Sequence, residues 1–204
     1  IDKNLNIELQ KVNILLDLFK LNIKIKTIGT NLIYGKKSLQ LESLKSTISI
    51  KSLINKNFSI TNLKISTKTL KIEDLISFTK LFKNDAKVYI AERLIKKGFL
   101  VADVNIEFDK EGRIKDNYSI KGFIKDGKIS FPKNYDLSKI FFSFDIKKEY
   151  FDLQDVKISL NDNYLLISRL ITKKKKDNYL INGKVTNEII NLSPKNINLI
   201  NKKN

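Results

Sequence analysis

"SLINKNFSITNLKISTKTLKIEDLI", Ser52 to Ile76, repeats a single apolar face and offers little chemistry on the other. Phe58 and Ile60, then Leu63 and Ile65, then Leu70 and Ile72 recur at every second position, separated by Ser, Thr, Asn and Lys. A period of two sends successive side chains to opposite sides of a β-strand, so the stretch predicts strands that are greasy on one side and wet on the other.

The same period extends in both directions. Leu5, Ile7 and Leu9 shift register to Val12, Ile14 and Leu16, as a bulged strand would; Leu21, Ile23 and Ile25, Leu39 and Leu41, and Ile48 and Ile50 follow. Glu73 to Lys83 breaks the alternation. Leu75, Phe78 and Phe82 stand at helical spacing behind Glu73 and Asp74, acids that favour a helix N-terminus, which predicts a short amphipathic helix. Lys87 to Lys97 reads two ways, since Lys96-Lys97-Gly98 resembles a helix end and Val88-Tyr89-Ile90 suits a strand. From Phe99 the pattern is β again. Strands over Phe99–Phe108 and Ile114–Lys125 flank an Asp109–Arg113 turn, and Asp126-Gly127 carries the two-residue hairpin signal. Further strands follow through Ile140 to Ile146, Val156 to Leu160, Leu165 and Ile167, and Tyr179 to Val185, with turns at Asn161–Asn163 and Lys173–Asn178.

These 204 residues read as one domain over 1–187 with a polar, frayed tail over 188–204. The sequence begins at Ile1 rather than Met, and the expectation is a piece of a longer protein. The fold expected is mostly β: a long, curved antiparallel sheet forming an open groove (a β-taco), with one short α-helix inserted near residues 73–83. A dozen strands about 4.8 Å apart would extend roughly 50–60 Å, and a sheet that large must curl, split or close. Its apolar face can be hidden by packing the sheet on itself as a sandwich, or by binding something greasy in a groove.

Composition narrows the chemistry. Cysteine and histidine are both absent, which removes disulfides, thiolate nucleophiles, the commonest metal ligands and the usual general base near neutral pH. The net charge of +17 invites a nucleic-acid reading. Of 39 basic residues, however, only Arg93, Arg113 and Arg169 carry the guanidinium fork that base and phosphate recognition favours. No nucleic-acid partner is expected. Attraction to anionic membrane surfaces needs only point charges and survives that argument.

Candidate sites each have a plain alternative. The acid pairs Asp152 and Asp155, Asp103 and Glu107, and Glu73 and Asp74 lack a motif that would tune their protonation, and read as solvated turn or cap residues. The seven glycines form no phosphate loop, and Asp109, Glu111 and Gly112 are interleaved with Lys110 and Arg113, so a hairpin turn fits better than a calcium loop. Lys173, Lys174, Lys175 and Lys176 form either a solvated hairpin tip or a contact with anionic headgroups. Phe142 and Phe144 share the face of Ile140 and Ile146, while Phe141 points the other way. Nothing here is catalytic, and the expectation is a non-enzyme without cofactor or metal.

A strand ending at a short turn, Ile50-Lys-Ser-Leu-Ile54, then "FSITNLKIST", then "LKIEDLISF", where the chain leaves the sheet for a small helix, resembles the AsmA-like family of bacterial envelope proteins, relatives of the bridge-like lipid transfer proteins. "FIKDGKISFP" and "YFDLQDVKISLNDNYLLIS" resemble the later strands of such grooves, and the likeness covers most of Leu5 to Asn187. The resemblance implies a periplasmic groove, anchored in the inner membrane by a helix upstream of Ile1 and continued by further groove segments. It also implies a role in moving phospholipid, or another acyl lipid, between inner and outer membrane during outer-membrane biogenesis. Lipid-lining residues would come from one alternating set: Ile120, Ile124, Phe142, Phe144, Ile146, Ile158 and Ile181. A competing expectation is a structural or interaction module of an envelope protein, a closed β-sandwich or solenoid segment that buries the same face internally.

Overall fold

The computed structural model describes residues 5–82, 85–132, 135–160, 163–175 and 178–186. The chain runs β1 (Leu5–Glu8), β2 (Lys11–Asp17), β3 (Asn22–Tyr34), β4 (Lys37–Ser49), α1 (Ile50–Ile54), β5 (Ile60–Thr67), β6 (Leu70–Lys71), α2 (Ile72–Phe82) and α3 (Ala86–Leu94). It continues through β7 (Ile95–Glu107), β8 (Ser119–Phe131), β9 (Tyr135–Lys147), β10 (Tyr150–Leu160), β11 (Asn163–Lys175) and β12 (Asn178–Thr186). All twelve strands belong to one antiparallel sheet that does not close into a barrel.

The sheet follows chain order, β3-β4-β5-β7-β8-β9-β10-β11-β12, with β1 and β2 lying end to end along β3, and β5 and β6 end to end along β7. Twelve strands therefore occupy ten ranks. Nine intervals of about 4.8 Å give a length of about 43 Å, shorter than a count of strands suggests. The break between β1 and β2 is the bulge that the register change in Leu5–Leu16 foretells. It sits beside Gly29, at φ +63°, where a Cβ would come within 2.2 Å of the Gln10 side chain.

Helix α2 begins at Ile72, directly after β6, so Ile72 leaves the alternation that Leu70 belongs to. The spacing of its apolar residues brings Phe78 down onto Leu39, Leu41 and Leu70, a buried hydrophobic cluster. Glu73 and Asp74 occupy its first turn. In the ambiguous segment that follows, both signals go the other way: Val88-Tyr89-Ile90 lies in helix α3, capped by the Asp85 carboxylate accepting from the Lys87 N–H at 2.9 Å, and Lys96-Lys97-Gly98 belongs to strand β7, which begins at Ile95. Ile50–Ile54 is a one-turn helix rather than a simple turn, with the Ser49 hydroxyl accepting from the Ser52 N–H.

Asp126-Gly127 does not form the expected hairpin. It lies inside β8, where the pairing with β9 slips between Ile124 and Gly127, and the pairing with β7 slips nearby. Asp126 takes a left-handed φ of +53°, so the pair that would close a two-residue turn instead forms a bulge, and β8 runs on to Phe131. At the start of β8, Ile114 makes only an isolated bridge to Phe108, and the strand proper begins at Ser119. The Asp109–Arg113 turn is as expected: the Asp109 carboxylate accepts from the backbone N–H groups of Glu111 and Arg113 and from Arg113 Nε at 2.7 Å. Lys173 to Lys175 belong to β11, so the Lys173–Asn178 turn is shorter than expected. Lys83, Lys176, most of the Asn161–Asn163 turn and the tail after Thr186 lie outside the described residues.

Candidate apolar groove

Cross-strand pairing decides which residues share a face, because directly opposed residues point the same way. One row runs unbroken through all ten ranks. Val12 pairs with Thr27, Thr27 with Leu44, Leu44 with Ile65 and Ile65 with Val104. Val104 pairs with Ile120, Ile120 with Ile146, Ile146 with Phe151, Phe151 with Thr172 and Thr172 with Ile181. Eight of its ten members are apolar; Thr27, one of the other two, is buried and joined to Thr30 by a 2.6 Å hydroxyl contact. A parallel row on the same face runs Ala102, Gly122, Phe144, Leu153, Leu170 and Gly183.

All seven residues proposed from the sequence stand on this face. Ile120, Ile146 and Ile181 lie in the first row and Phe144 in the second; Ile124 pairs with Phe142, and Ile158 pairs with Leu165. The Phe142 and Phe144 rings meet edge to face with centroids 6.2 Å apart. Phe141 projects from the opposite face, paired with Lys157, whose ammonium lies 5.9 Å from its ring centroid.

Little covers this wall. Helices α2 and α3 pack on β4, β6, β7 and β8 at one end of the strands, and α1 follows β4 at the other. Over β9 and β10 the face is closed to solvent: Ile140, Phe144 and Val156 are only 5%, 9% and 3% exposed. Bulges beside Asp126 in β8 and along the β9–β10 ladder bend the strands where this happens. Towards both edges the face opens. Val12, Ile14 and Leu16 on β2 and Tyr179, Ile181 and Val185 on β12 are all exposed, Ile181 to 64%.

The opposite face is polar and ion-paired. Asp152, expected as a solvated turn residue, is instead buried within β10, and Arg169 of β11 grips it bidentately, Nε to Oδ1 at 2.9 Å and Nη2 to Oδ2 at 2.6 Å. Tyr150 and Gln154 also donate to Asp152 Oδ2. Chiefly through the Arg169 hydrogen bonds, and against the opposing effect of burial, the Asp152 carboxyl is held below the usual carboxylate range. Asp155, its sequence neighbour, is exposed at a left-handed φ of +53°. Of the other acid pairs, Asp103 is exposed, and Glu107 stands 3.5 Å from Lys115. Among the described residues, no group of three or more carboxylates is placed to hold a metal.

The lysine run lies at the end of β11. Lys173 sits over the Tyr150 ring at 5.6 Å, Lys174 pairs with Glu149 at 3.5 Å, and Lys175 is exposed. No described helix is long and apolar enough to cross a membrane. No protein-family profile, curated protein or solved structure matches the chain.

Proposed function

We propose that this chain is a segment of a lipid-transfer groove of the AsmA-like kind, whose apolar face shields phospholipid acyl chains while headgroups remain in water. The observation that supports this reading best is the row from Val12 to Ile181, an apolar track crossing every rank of an open sheet. A diacyl lipid with around thirty chain methylenes would cost on the order of 20 kcal/mol to expose, at about 0.8 kcal/mol each. Half of a bilayer's hydrocarbon core is about 15 Å thick, so a track of about 43 Å exceeds the reach of one acyl chain. Contacts of this sort are non-directional and repeat from strand to strand, which lets a chain slide without meeting one tight site.

In this reading the groove works in the periplasm, held at the inner membrane by an anchor and continued by further groove segments. It carries phospholipid between inner and outer membrane without catalysing a reaction. Ile120, Ile124, Phe142, Phe144, Ile146, Ile158 and Ile181 line it, and Lys173 to Lys175 face headgroups at the rim.

The test is extraction of the purified chain with organic solvent and mass spectrometry of what comes out. Phospholipid in near-stoichiometric amount is the expected result. Protein free of lipid, and unable to take up a fluorescent phospholipid from vesicles, would overturn the proposal.

A further inference from the structure

At one corner of the sheet, a group of apolar side chains is exposed to solvent. The turn between β2 and β3 carries Leu18, Phe19 and Leu21, of which Phe19 is fully exposed, and α1 beside it carries Leu53 and Ile54, the latter 73% exposed. The two pieces are tied together, because the Ile50 N–H donates to the Leu21 carbonyl at 2.9 Å. Leu21 holds a φ of +48°, a left-handed conformation that suits glycine or asparagine and strains a leucine.

Positive charge predominates around the corner. Lys20, Lys51 and Lys56 are exposed, and residues 18–21 and 50–58 include no Asp or Glu. Acids beside it are already engaged: Asp17 accepts from the Lys20 N–H at 3.1 Å and Lys24 Nζ at 3.3 Å, and Asp109, which lines one cavity with Lys51 and Asn55, accepts from Arg113 Nε at 2.7 Å. The packed helices α2 and α3 lie at the opposite ends of the strands and do not cover this corner.

We propose that this corner is a membrane-docking tip. Phe19 and Ile54 enter the boundary between headgroups and acyl chains of an anionic phospholipid surface, and Lys20, Lys51 and Lys56 meet its phosphates. A folded protein partner asks for about 800 Å² of complementary surface on each side, which one turn and a five-residue helix do not present. A fluid, negatively charged interface accepts two small apolar protrusions ringed by cations. The inference stands apart from the groove reading, since a tip that docks need not belong to a chain that carries lipid.

The chain lacks tryptophan, so Phe19→Trp places a single reporter at the tip. Its emission should shift to the blue with vesicles of phosphatidylcholine and phosphatidylglycerol and be quenched by brominated lipid. Pure phosphatidylcholine should give a much smaller response, and salt should weaken binding to the anionic vesicles. Phe19→Asp with Ile54→Asp should lower vesicle partitioning by roughly tenfold or more while leaving the extracted lipid load as in the parent chain. Leu21→Gly should also weaken partitioning, with a thermal midpoint equal to or above the parent's. Emission indifferent to anionic vesicles would overturn the proposal. So would self-association in the absence of lipid that the double variant abolishes, which would mark the corner as a contact between copies.

Discussion

The ring of Phe144 lies over Gly122, its directly opposed partner on β8, so that a Cβ added to Gly122 would fall 2.9 Å from the Phe144 Cζ. The same Cβ would meet the Val101 carbonyl oxygen at 2.1 Å. Flat backbone on one strand makes room for the largest side chain on the next, and the apolar wall keeps an even floor there. Gly122→Ala should therefore destabilise the chain by about 2 kcal/mol, read as a lower urea midpoint. Phe144→Leu should recover only part of that loss, because the clash with the Val101 carbonyl remains. A Gly122→Ala chain as stable as the parent would remove the close approach from the account.

Asp152 and Arg169 fasten β10 to β11 on the polar face. Replacing Asp152 by Asn removes the charge-assisted bonds and leaves a buried amide, at a cost of about 1–2 kcal/mol at neutral pH. The sign of the pH dependence follows from the depressed carboxyl. The parent's advantage is present above the unfolded carboxylate value of about 4 and is lost as pH falls through the lower folded value. Denaturation midpoints of parent and Asp152→Asn should thus differ at pH 7 and converge as pH falls through the depressed folded value. A gap that persists at acid pH would mean that the pair acts through packing instead of charge.

Polar substitution within the wall separates lining from core. Ile124 and Ile158 are half-buried, and Ile124→Asn with Ile158→Asn should cut the extracted phospholipid per chain by about half or more. Their effect on unfolding should stay near 1 kcal/mol each, because neither side chain sits in a sealed interior. Loss of folding with the double substitution would indicate that these residues are packed by protein rather than by lipid.

Asp126 offers a gain. At φ +53° it pays a conformational penalty that glycine avoids, so Asp126→Gly should raise stability by about 0.5 kcal/mol or leave it unchanged. A marked loss, measured by thermal unfolding, would assign the carboxylate a structural partner.

Most of the fold was legible in the alternation, because a period of two fixes strand and face together. That is why seven residues chosen from sequence, spread from Ile120 to Ile181, stand on one side of the sheet. Bulges were less legible. Asp126-Gly127 carries the same local chemistry whether it closes a hairpin or inserts one extra residue into a ladder; only pairing with β7 and β9 decides, and that information is distant in the chain. The length of the sheet was misjudged for a related reason, since β1 with β2, and β5 with β6, each share one neighbour. Asp152 looked solvated because its partner lies seventeen residues away. Reflecting the chain about the Asn161–Asn163 turn places Gln154 opposite Arg169 and Asp152 one rung along the same face, a signal available in advance once the hairpin is assumed. The exposed corner was hidden in the alternation: Leu21 reads as strand with Ile23 and Ile25, and Leu18 and Phe19 carry no periodic signal, until the turn puts all three in solvent.

Among the described residues, the outer sides of β2 and β12 carry no further strand, and both keep the apolar phase of the rows they terminate. Such an architecture behaves as a ruler. Each hairpin appended at either margin would lengthen the greasy floor by about 10 Å without disturbing the register already laid down. If the sheet serves as the proposed groove, the distance it bridges is set by how many hairpins are counted out.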